Sequence, residues 1–251
     1  MSNEQLYEKY AAYYDQIYAY VDYKGESEFI KWAVNKHKTS TGNELLDVAC
    51  GTGSHALILK NNFNITGIDI NENMLKIARE KVPEVNFIKG DMKKLEMESK
   101  FDVIICIFSA IHYNTNYSEL ESTLTNFYKH MENGGILIYD LSFNTDNWIE
   151  GIVSVDTVAE EELKIARICQ SRLENDIFNA NFIFLVKDKG EFDFDIDEHK
   201  LGVFEIDKVN KIMEKIGFKT YLYGDFTFEM WKSEECQRPV YVGIKNRKEG
   251  K

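Results

Sequence analysis

Apolar residues recur along this chain at two alternating spacings, one helical and one strand-like. Residues 4–20 and 25–38 carry helical spacing, and Phe29, Trp32 and Ala33 make one apolar face of the second segment. A strand is predicted at Glu44–Ala49, then a helix from about Ser54, a strand at Asn64–Asp69 and a helix from Asn71 to Val82. Pro83 lies just beyond that helix, where proline stops one. Further strands are predicted at Val85–Lys89, Phe101–Ile107 and Gly135–Leu141, with a helix around Ser118–His130. Short strands alternating with helices build right-handed βαβ units. The fold class is therefore α/β, a Rossmann-like and mostly parallel sheet with helices on both faces.

The pattern changes after the fifth strand. From Phe143 to Ile206, polar and apolar residues alternate over 153–157, 162–173, 177–186 and 191–206. Turn signals stand at Glu174-Asn-Asp176 and Asp188-Lys-Gly190. Residues 143–206 therefore read as an antiparallel, β-rich insertion above the carboxyl ends of the parallel strands. It is a candidate substrate wall and a candidate homodimer surface. A helix at Asp207–Ile216, stopped by Gly217, and strands at Phe218–Phe226 and Arg238–Lys245 close the chain. Residues 1–142 and 207–246 then form one domain, with the helices of residues 1–38 as its lid.

Composition narrows the function classes. The chain has 251 residues, 44% of them hydrophobic and only two prolines, which is enough apolar material for a packed core. Its formal charge of −12 repels phosphate backbones and anionic headgroups, so neither nucleic acid nor membrane is an expected partner. The basic tail Lys245–Lys251 reads as a frayed terminus. Cys50, Cys106, Cys169 and Cys236 are scattered without metal-ligand spacing, so no metal site and no disulfide framework is expected. The polar N-terminus has no signal-peptide pattern, and the apolar run Val103–Phe108 is too short to span a bilayer; the expected location is the cytoplasm.

The chemistry concentrates where open α/β sheets bind ligands, beyond the carboxyl ends of their strands. There the chain reads Asp47-Val-Ala-Cys-Gly51-Thr-Gly53. Two glycines let backbone approach a ligand, and the helix that follows presents its first amides to an anionic group. Gly51-x-Gly53-x-x-Ala56 also matches a nicotinamide-dinucleotide fingerprint. Asp47 argues for a different cofactor. An acid inside the strand, four residues before Gly51, suits the ammonium of a methionine moiety. Asp69 ends the second strand sixteen residues beyond Gly53, at the place of ribose hydroxyls under either reading. Gly90-Asp91-Met92 then offers an acceptor for an adenine amino group and an apolar side chain for its ring.

Leu-Asp47-Val-Ala-Cys-Gly-Thr-Gly-Ser-His, Thr-Gly-Ile-Asp69-Ile-Asn-Glu-Asn-Met74-Leu and Gly90-Asp-Met resemble class I S-adenosylmethionine (SAM)-dependent methyltransferases. With Phe101–Ile111, Tyr10-Ala-Ala-Tyr-Tyr-Asp15 and the insertion, the chain is most similar to the N,N-dimethyltransferases of nucleotide-linked amino sugars. The resemblance implies a seven-stranded sheet with a reversed last hairpin. It also implies SAM held by Asp47, Ala49, Gly51, Asp69, Met74, Asp91, Met92 and Cys106, and an amine on a sugar as acceptor; Gly53 of the loop and Ile70 after the second strand are added as cofactor-binding candidates. The sequence departs from the family after Ile111, where Gly-His is expected and His112-Tyr113-Asn114 stands.

Methyl transfer is an in-line displacement that needs alignment, a desolvated pocket and an unprotonated nucleophile. His112 and Tyr14 are the candidate catalytic residues, and Tyr18 and Tyr113 the candidate substrate contacts. Residues 7–23 hold seven of the fourteen tyrosines, whose faces attract a sulfonium or ammonium and whose spacing suits core packing equally. His55, His130 and His199 read as surface or helix-end residues. Phe192, Phe194 and Phe204 read as pocket lining or as the underside of the insertion. An acid-lined pocket would favour N-methylation of a small-molecule amine, and a base beside a hydroxyl would favour O-methylation. A SAM-binding protein without transfer is the alternative from another class.

Overall fold

The computed structural model describes residues 4–142, 151–233 and 238–246. Cys236, the first residues of the insertion (143–150) and the tail from 247 onward lie outside them.

Buried apolar strands flanked by amphipathic helices organise the larger part. Strands β1 (Glu44–Val48), β2 (Asn64–Asp69), β3 (Asn86–Lys89), β4 (Phe101–Cys106) and β5 (Met131–Asp140) run parallel. With β10 (Phe218–Gly224) and β11 (Pro239–Lys245) they form a seven-stranded sheet ordered β10-β11-β5-β4-β1-β2-β3. Only β11 is reversed, pairing antiparallel with both β5 and β10. The order turns back between β4 and β1, so the crevice above their carboxyl ends is where this topology holds a ligand. Every residue of β4 is buried, as a central parallel strand requires.

Helices cover both faces. Helix α2 (Tyr23–His37), capped by Asp22 accepting from Gly25 N, buries Phe29, Ile30 and Ala33. Helix α3 (Ser54–Leu59) and α4 (Glu72–Lys81), capped by Asn71, lie on the same face. Helices α5 (Tyr117–His130) and α6 (Ile206–Ile216) lie on the other, burying Leu120, Leu124, Phe127, Val209 and Met213 against it. None of the helices among the described residues is long and apolar enough to cross a membrane.

The insertion contributes β6 (Val153–Ala159), β7 (Leu163–Glu174), β8 (Ile177–Asp188) and β9 (Glu191–Gly202), an antiparallel sheet in sequence order. Asn175 and Asp176, then Lys189 and Gly190, take positive φ at its two tight turns, the geometry of two-residue hairpins.

The N-terminal segment is the main departure from its helical spacing. Among residues 4–20 only α1 (Tyr14–Ile17) is α-helical, preceded by a 3-10 turn at Ala11–Tyr13. Tertiary bonds replace helical ones there. Tyr10 Oη donates to Asp193 Oδ2 at 3.2 Å and Tyr13 Oη to Asp188 Oδ2 at 2.9 Å. Leu6 N donates to Asp197 Oδ2 at 2.8 Å. Leu6, Tyr10, Tyr14 and Ile17 pack between Met74 of α4 and Leu163, Ile165, Phe184 and Val186 of the small sheet. The tyrosine stripe is thus core packing in part, but between two bodies and not along one helix.

Candidate active site

The end of β1 builds the first wall of a cavity. After Val48 the chain turns sharply, with Ala49 at φ 54° and Gly51 at φ 55°. A side chain at 51 would meet only Met74 Cε, at 3.5 Å, so what glycine preserves there is the left-handed backbone and open space. Gly53, at φ 77°, answers a different need. Its missing Cβ would stand 3.1 Å from Phe87 Cζ and 3.3 Å from Ala78 Cβ, so it lets α3 start close against β3 and α4. A latch closes over this loop. Thr52 Oγ1 donates to Asp15 Oδ1 at 2.7 Å, and Lys81 Nζ pairs with Asp15 Oδ2 at 2.6 Å.

Two carboxylates define the polar floor. Asp69 Oδ2 accepts Gly51 N–H at 2.9 Å and its Oδ1 accepts Asn71 N–H at 2.8 Å, leaving each oxygen a further lone pair. Burial raises its pKa, and the amides of Asn71, Gly51 and Ile70 oppose that rise. Asp47 lacks such amides. Its Oδ2 is buried without a hydrogen-bond partner, and burial pushes its pKa up to about 7, with His55 opposing and Asp69 adding to the rise. An orphaned carboxylate oxygen in a cavity wall is a site for a cation that donates hydrogen bonds.

The cavity above this floor has a volume of about 790 Å³, within the range that holds a bound small molecule. Asp47, Ala49, Gly51, Asp69, Ile70, Met74, Asp91, Met92, Tyr14 and Tyr113 all line it. Asp91 also uses Oδ1 to cap the short turn after β3, accepting Lys93 N–H at 2.9 Å. The structure thus gathers, from five separate segments, most of the residues that the sequence singled out.

Four others sit elsewhere. Gly53 packs behind the loop, and Cys106 is buried in the core at the end of β4, beside Tyr139 of β5. Tyr18 accepts a hydrogen bond from Arg167 Nη1, and Arg167 is in turn held by Asp156. His112 is fully buried, its Nδ1 bonded to Gly202 O at 2.7 Å and its ring stacked on Phe204. Burial lowers its pKa to about 4, against the opposing bond to Gly202, so the imidazole is neutral and Nδ1 carries the hydrogen. It ties the turn after β4 to the end of β9.

That turn is held by backbone strain. Phe108 and Ser109 both take positive φ, and Ser109 N donates to both carboxylate oxygens of Asp140 at 3.0 Å. The 3-10 turn Ala110–Tyr113 is thereby folded back over the strand ends, which sends Tyr113 into the cavity wall while His112 points into the core.

The remaining wall was not legible. Glu4 and Tyr7 from the N-terminal segment, and Ile196, Glu198 and Lys200 from β9, belong to it. Their period-two spacing on β9 is shared by any strand, so it carried no chemical signal. His55 and His199, which read as surface or helix-end residues, are both buried, His55 at the start of α3 and His199 within β9: His55 Nε2 bonds Glu26 Oε2 at 2.9 Å, and His199 Nε2 bonds Asp197 Oδ2 at 3.1 Å. Phe192 and Phe194 are exposed on the outer sheet face, and Phe204 is core.

The lining as a whole is acidic. Glu4, Asp47, Asp69, Asp91 and Glu198 face two lysines, of which Lys93 is paired with Glu119 at 2.6 Å. Such a field attracts cationic ligands.

Comparison with known proteins agrees with this geometry. Residues 45–135 match the family described as a methyltransferase domain. The dTDP-3-amino-3,4,6-trideoxy-alpha-D-glucopyranose N,N-dimethyltransferase of Streptomyces venezuelae is 31% identical over 68% of this chain and 72% of its own. The dTDP-3-amino-3,6-dideoxy-alpha-D-glucopyranose N,N-dimethyltransferase of Streptomyces fradiae is 27% identical over 78% of this chain and 77% of its own. The crystal structure of Streptomyces venezuelae DesVI superposes with a TM-score of 0.81 at 25% identity, covering 94% of this chain and 98% of that one.

Proposed function

We propose that this chain, which belongs to the SAM-dependent methyltransferases, methylates the nitrogen of a small amine, with an amino sugar the first candidate. The observation that carries the amine is the cavity's charge, five carboxylates against two lysines. A protonated amine is drawn into that field, and a carboxylate acceptor would be repelled by it. The relatives whose names specify dTDP-linked 3-amino sugars support the same class.

When bound, SAM would supply an electrophilic methyl, which the acceptor nitrogen takes in line while the C–S bond breaks and the sulfur leaves as a neutral thioether. The residues present fit it. Asp47 Oδ2, unpartnered in the wall, would accept from the ammonium of the methionine moiety. The free lone pairs of Asp69 would accept the ribose hydroxyls, and Gly51 leaves room for the sugar. Asp91 and Met92 would hold the adenine, with Ile70, Met74 and Ala49 as apolar walls. Gly53 and Cys106 support the loop and strand from behind. Tyr14, whose pKa burial raises well above the usual phenol value, stays a neutral ring beside the cationic centre. His112 holds the turn that carries Tyr113, and Tyr18 holds Arg167.

The test is transfer from SAM to a panel of dTDP-linked 3-amino sugars, simpler amines and their hydroxy analogues, read by mass spectrometry. N-methylated product is expected. Product from the hydroxy compounds alone would overturn the amine.

We also propose that the chain works as a homodimer in the cytoplasm. The small-sheet face turned away from the N-terminal segment exposes Val155, Ile183, Leu185 and Phe194, with Phe192 80% exposed, and Ile196 on the same face also reaches the cavity rim. Val155, Ile168, Ile183 and Ile196 are paired directly across all four strands, making one continuous apolar row. A sheet face of this kind is self-complementary, and two copies can stack face to face about a two-fold axis. Cys50, Cys106 and Cys169 are free thiols, which suits a reducing compartment.

A further inference from the structure

We infer that Tyr113, backed by His199 and Asp197, is the port through which the acceptor's ammonium proton leaves the cavity. The inference rests on the amine reading above and supplies what that reading needs, because an ammonium has no lone pair with which to attack.

The geometry is a continuous hydrogen-bond chain from the cavity to a buried dyad. Tyr7 Oη and Tyr113 Oη, both in the cavity wall, stand 2.7 Å apart. Tyr113 Oη lies 2.7 Å from His199 Nδ1, and His199 Nε2 lies 3.1 Å from Asp197 Oδ2. His199 and Asp197 are 3% and 1% exposed, so water does not interrupt the chain. Donor and acceptor inventories fix its direction. Asp197 Oδ2 already accepts Leu6 N–H, and as an acceptor it takes the hydrogen of His199 Nε2. With Nε2 donating to Asp197, Nδ1 as an acceptor takes the hydrogen of Tyr113, and Tyr113 can accept from Tyr7. One lone pair of Tyr113 Oη remains for a donor in the cavity.

An ammonium at that position loses its proton in balanced steps. Its N–H bond breaks, the electron pair stays on nitrogen, and Tyr113 Oη takes the proton while passing its own hydrogen to His199 Nδ1. The imidazolium so formed faces Asp197, whose Oδ1 is buried without a partner and therefore free to favour a positive ring. Tyr113 itself is unsuited to be the base or to hold the charge. Burial, with Glu4 next, raises its pKa well above the usual phenol value, and Tyr7 is raised likewise by burial and by Tyr113. Both phenols relay and do not ionise. A second methylation releases a second proton from the monomethyl ammonium, and the same path serves it after the first proton has returned through Tyr113 to the emptied cavity.

The other groups facing His199 are few. Tyr7 packs edge-on to its ring at 5.5 Å and Phe182 of β8 at 5.2 Å. Ala180 is its cross-strand partner. Arg167, on the Phe182 ring at 5.1 Å, is the cation of that region and is engaged by Asp156. Glu4 adds negative charge at the Tyr7–Tyr113 end.

The same bonds also fasten the N-terminal segment to β9, so the experiment must separate relay from fastening. Wild type, Tyr113→Phe and His199→Gln are assayed with SAM and a dTDP-linked 3-amino-3,6-dideoxyhexose across pH. Near pH 7 both variants are expected to lose about 100-fold in kcat/KM, the range of positioned acid–base catalysis. The deficit should shrink toward about pH 9, where more of the amine arrives neutral. SAM affinity should stay within about twofold, since neither side chain belongs to the SAM wall. A loss equal at every pH, or no loss, overturns the relay. If wild type methylates no amine, the amine reading itself has failed, and ring-nitrogen NMR of His199 decides the relay separately. The Nε2–H tautomer with a Tyr113-dependent Nδ1 shift supports it; the Nδ1–H tautomer overturns it.

Discussion

Gly51 and Asp69 are joined before any ligand arrives: the amide of Gly51 donates to Asp69 Oδ2 at 2.9 Å, locking the loop after β1 to the tip of β2. One carboxylate therefore sets the loop's shape and also presents lone pairs to the cavity. Asp69→Asn keeps an oxygen for the Gly51 amide but sets its NH2 against the Asn71 N–H and removes the charged acceptor. SAM affinity should fall about 10- to 100-fold by calorimetry, with a lowered melting temperature for the lost Asn71 bond. Unaltered affinity would mean that the ribose does not lie at Asp69.

Asp47 makes SAM binding depend on protons. Burial raises its pKa to about 7, so in the free protein it is largely protonated below that pH. An ammonium at its orphaned oxygen favours the charged form, and binding must then expel a proton. SAM affinity should climb as pH rises from about 5.5 to about 7. Calorimetry in buffers of different ionisation enthalpy should show proton release near pH 6. Asp47→Asn should abolish both effects. The free protein carries the opposite trend from this group. A raised carboxyl pKa stabilises the fold at low pH, and that contribution drains away as pH rises from about 4 toward 7.

The sheet and the cavity floor proposed for SAM are legible because each is written in short runs of consecutive residues. Asn64–Asp69 is a strand over the predicted bounds, and Asp47, Gly51, Asp69 and Asp91 each lie in the last two residues of a strand or follow one whose position the apolar spacing fixes. The opposite wall of the cavity is assembled differently. Tyr7 meets Tyr113 and His199 across separations of 106 and 192 residues, and local pattern carries no record of such partners. His112 shows the same limit in reverse. Its neighbour Tyr113 faces the cavity, and which of the two does so is decided by the positive φ of Phe108 and Ser109 just upstream. The N-terminal helical spacing failed for a related reason: Asp188, Asp193 and Asp197 take the donors that a helix would have kept.

The outer face of the small sheet predicts the oligomeric state. Leu185 and Phe194 are direct cross-strand partners and are 48% and 70% exposed. Phe194→Asp combined with Leu185→Asp places two charges in the middle of the apolar row. Sedimentation should show wild type as a dimer and the double variant as a monomer that still binds SAM. A monomeric wild type would leave this face without the partner argued for it.

His112 makes stability, and not turnover, the property to watch below neutral pH. Its pKa falls from an ordinary 6.5 to about 4 on burial, so the unfolded chain binds a proton that the folded one refuses. Stability from this group is complete above pH 6.5 and is lost as pH falls toward 4. The loss amounts to roughly 3 kcal/mol by linkage. His112→Gln replaces the ring with a side chain that does not titrate and that can still donate to Gly202 O. It should lower stability by about 1–2 kcal/mol at pH 7.5, where the stacking on Phe204 is missed. Its urea midpoint should then change less than that of wild type between pH 6.5 and pH 4.5, narrowing the difference between the two proteins. Parallel curves would show that the imidazole stays as protonatable in the fold as in the open chain. A variant that keeps its fold and SAM affinity but loses turnover at every pH would return His112 to the chemistry.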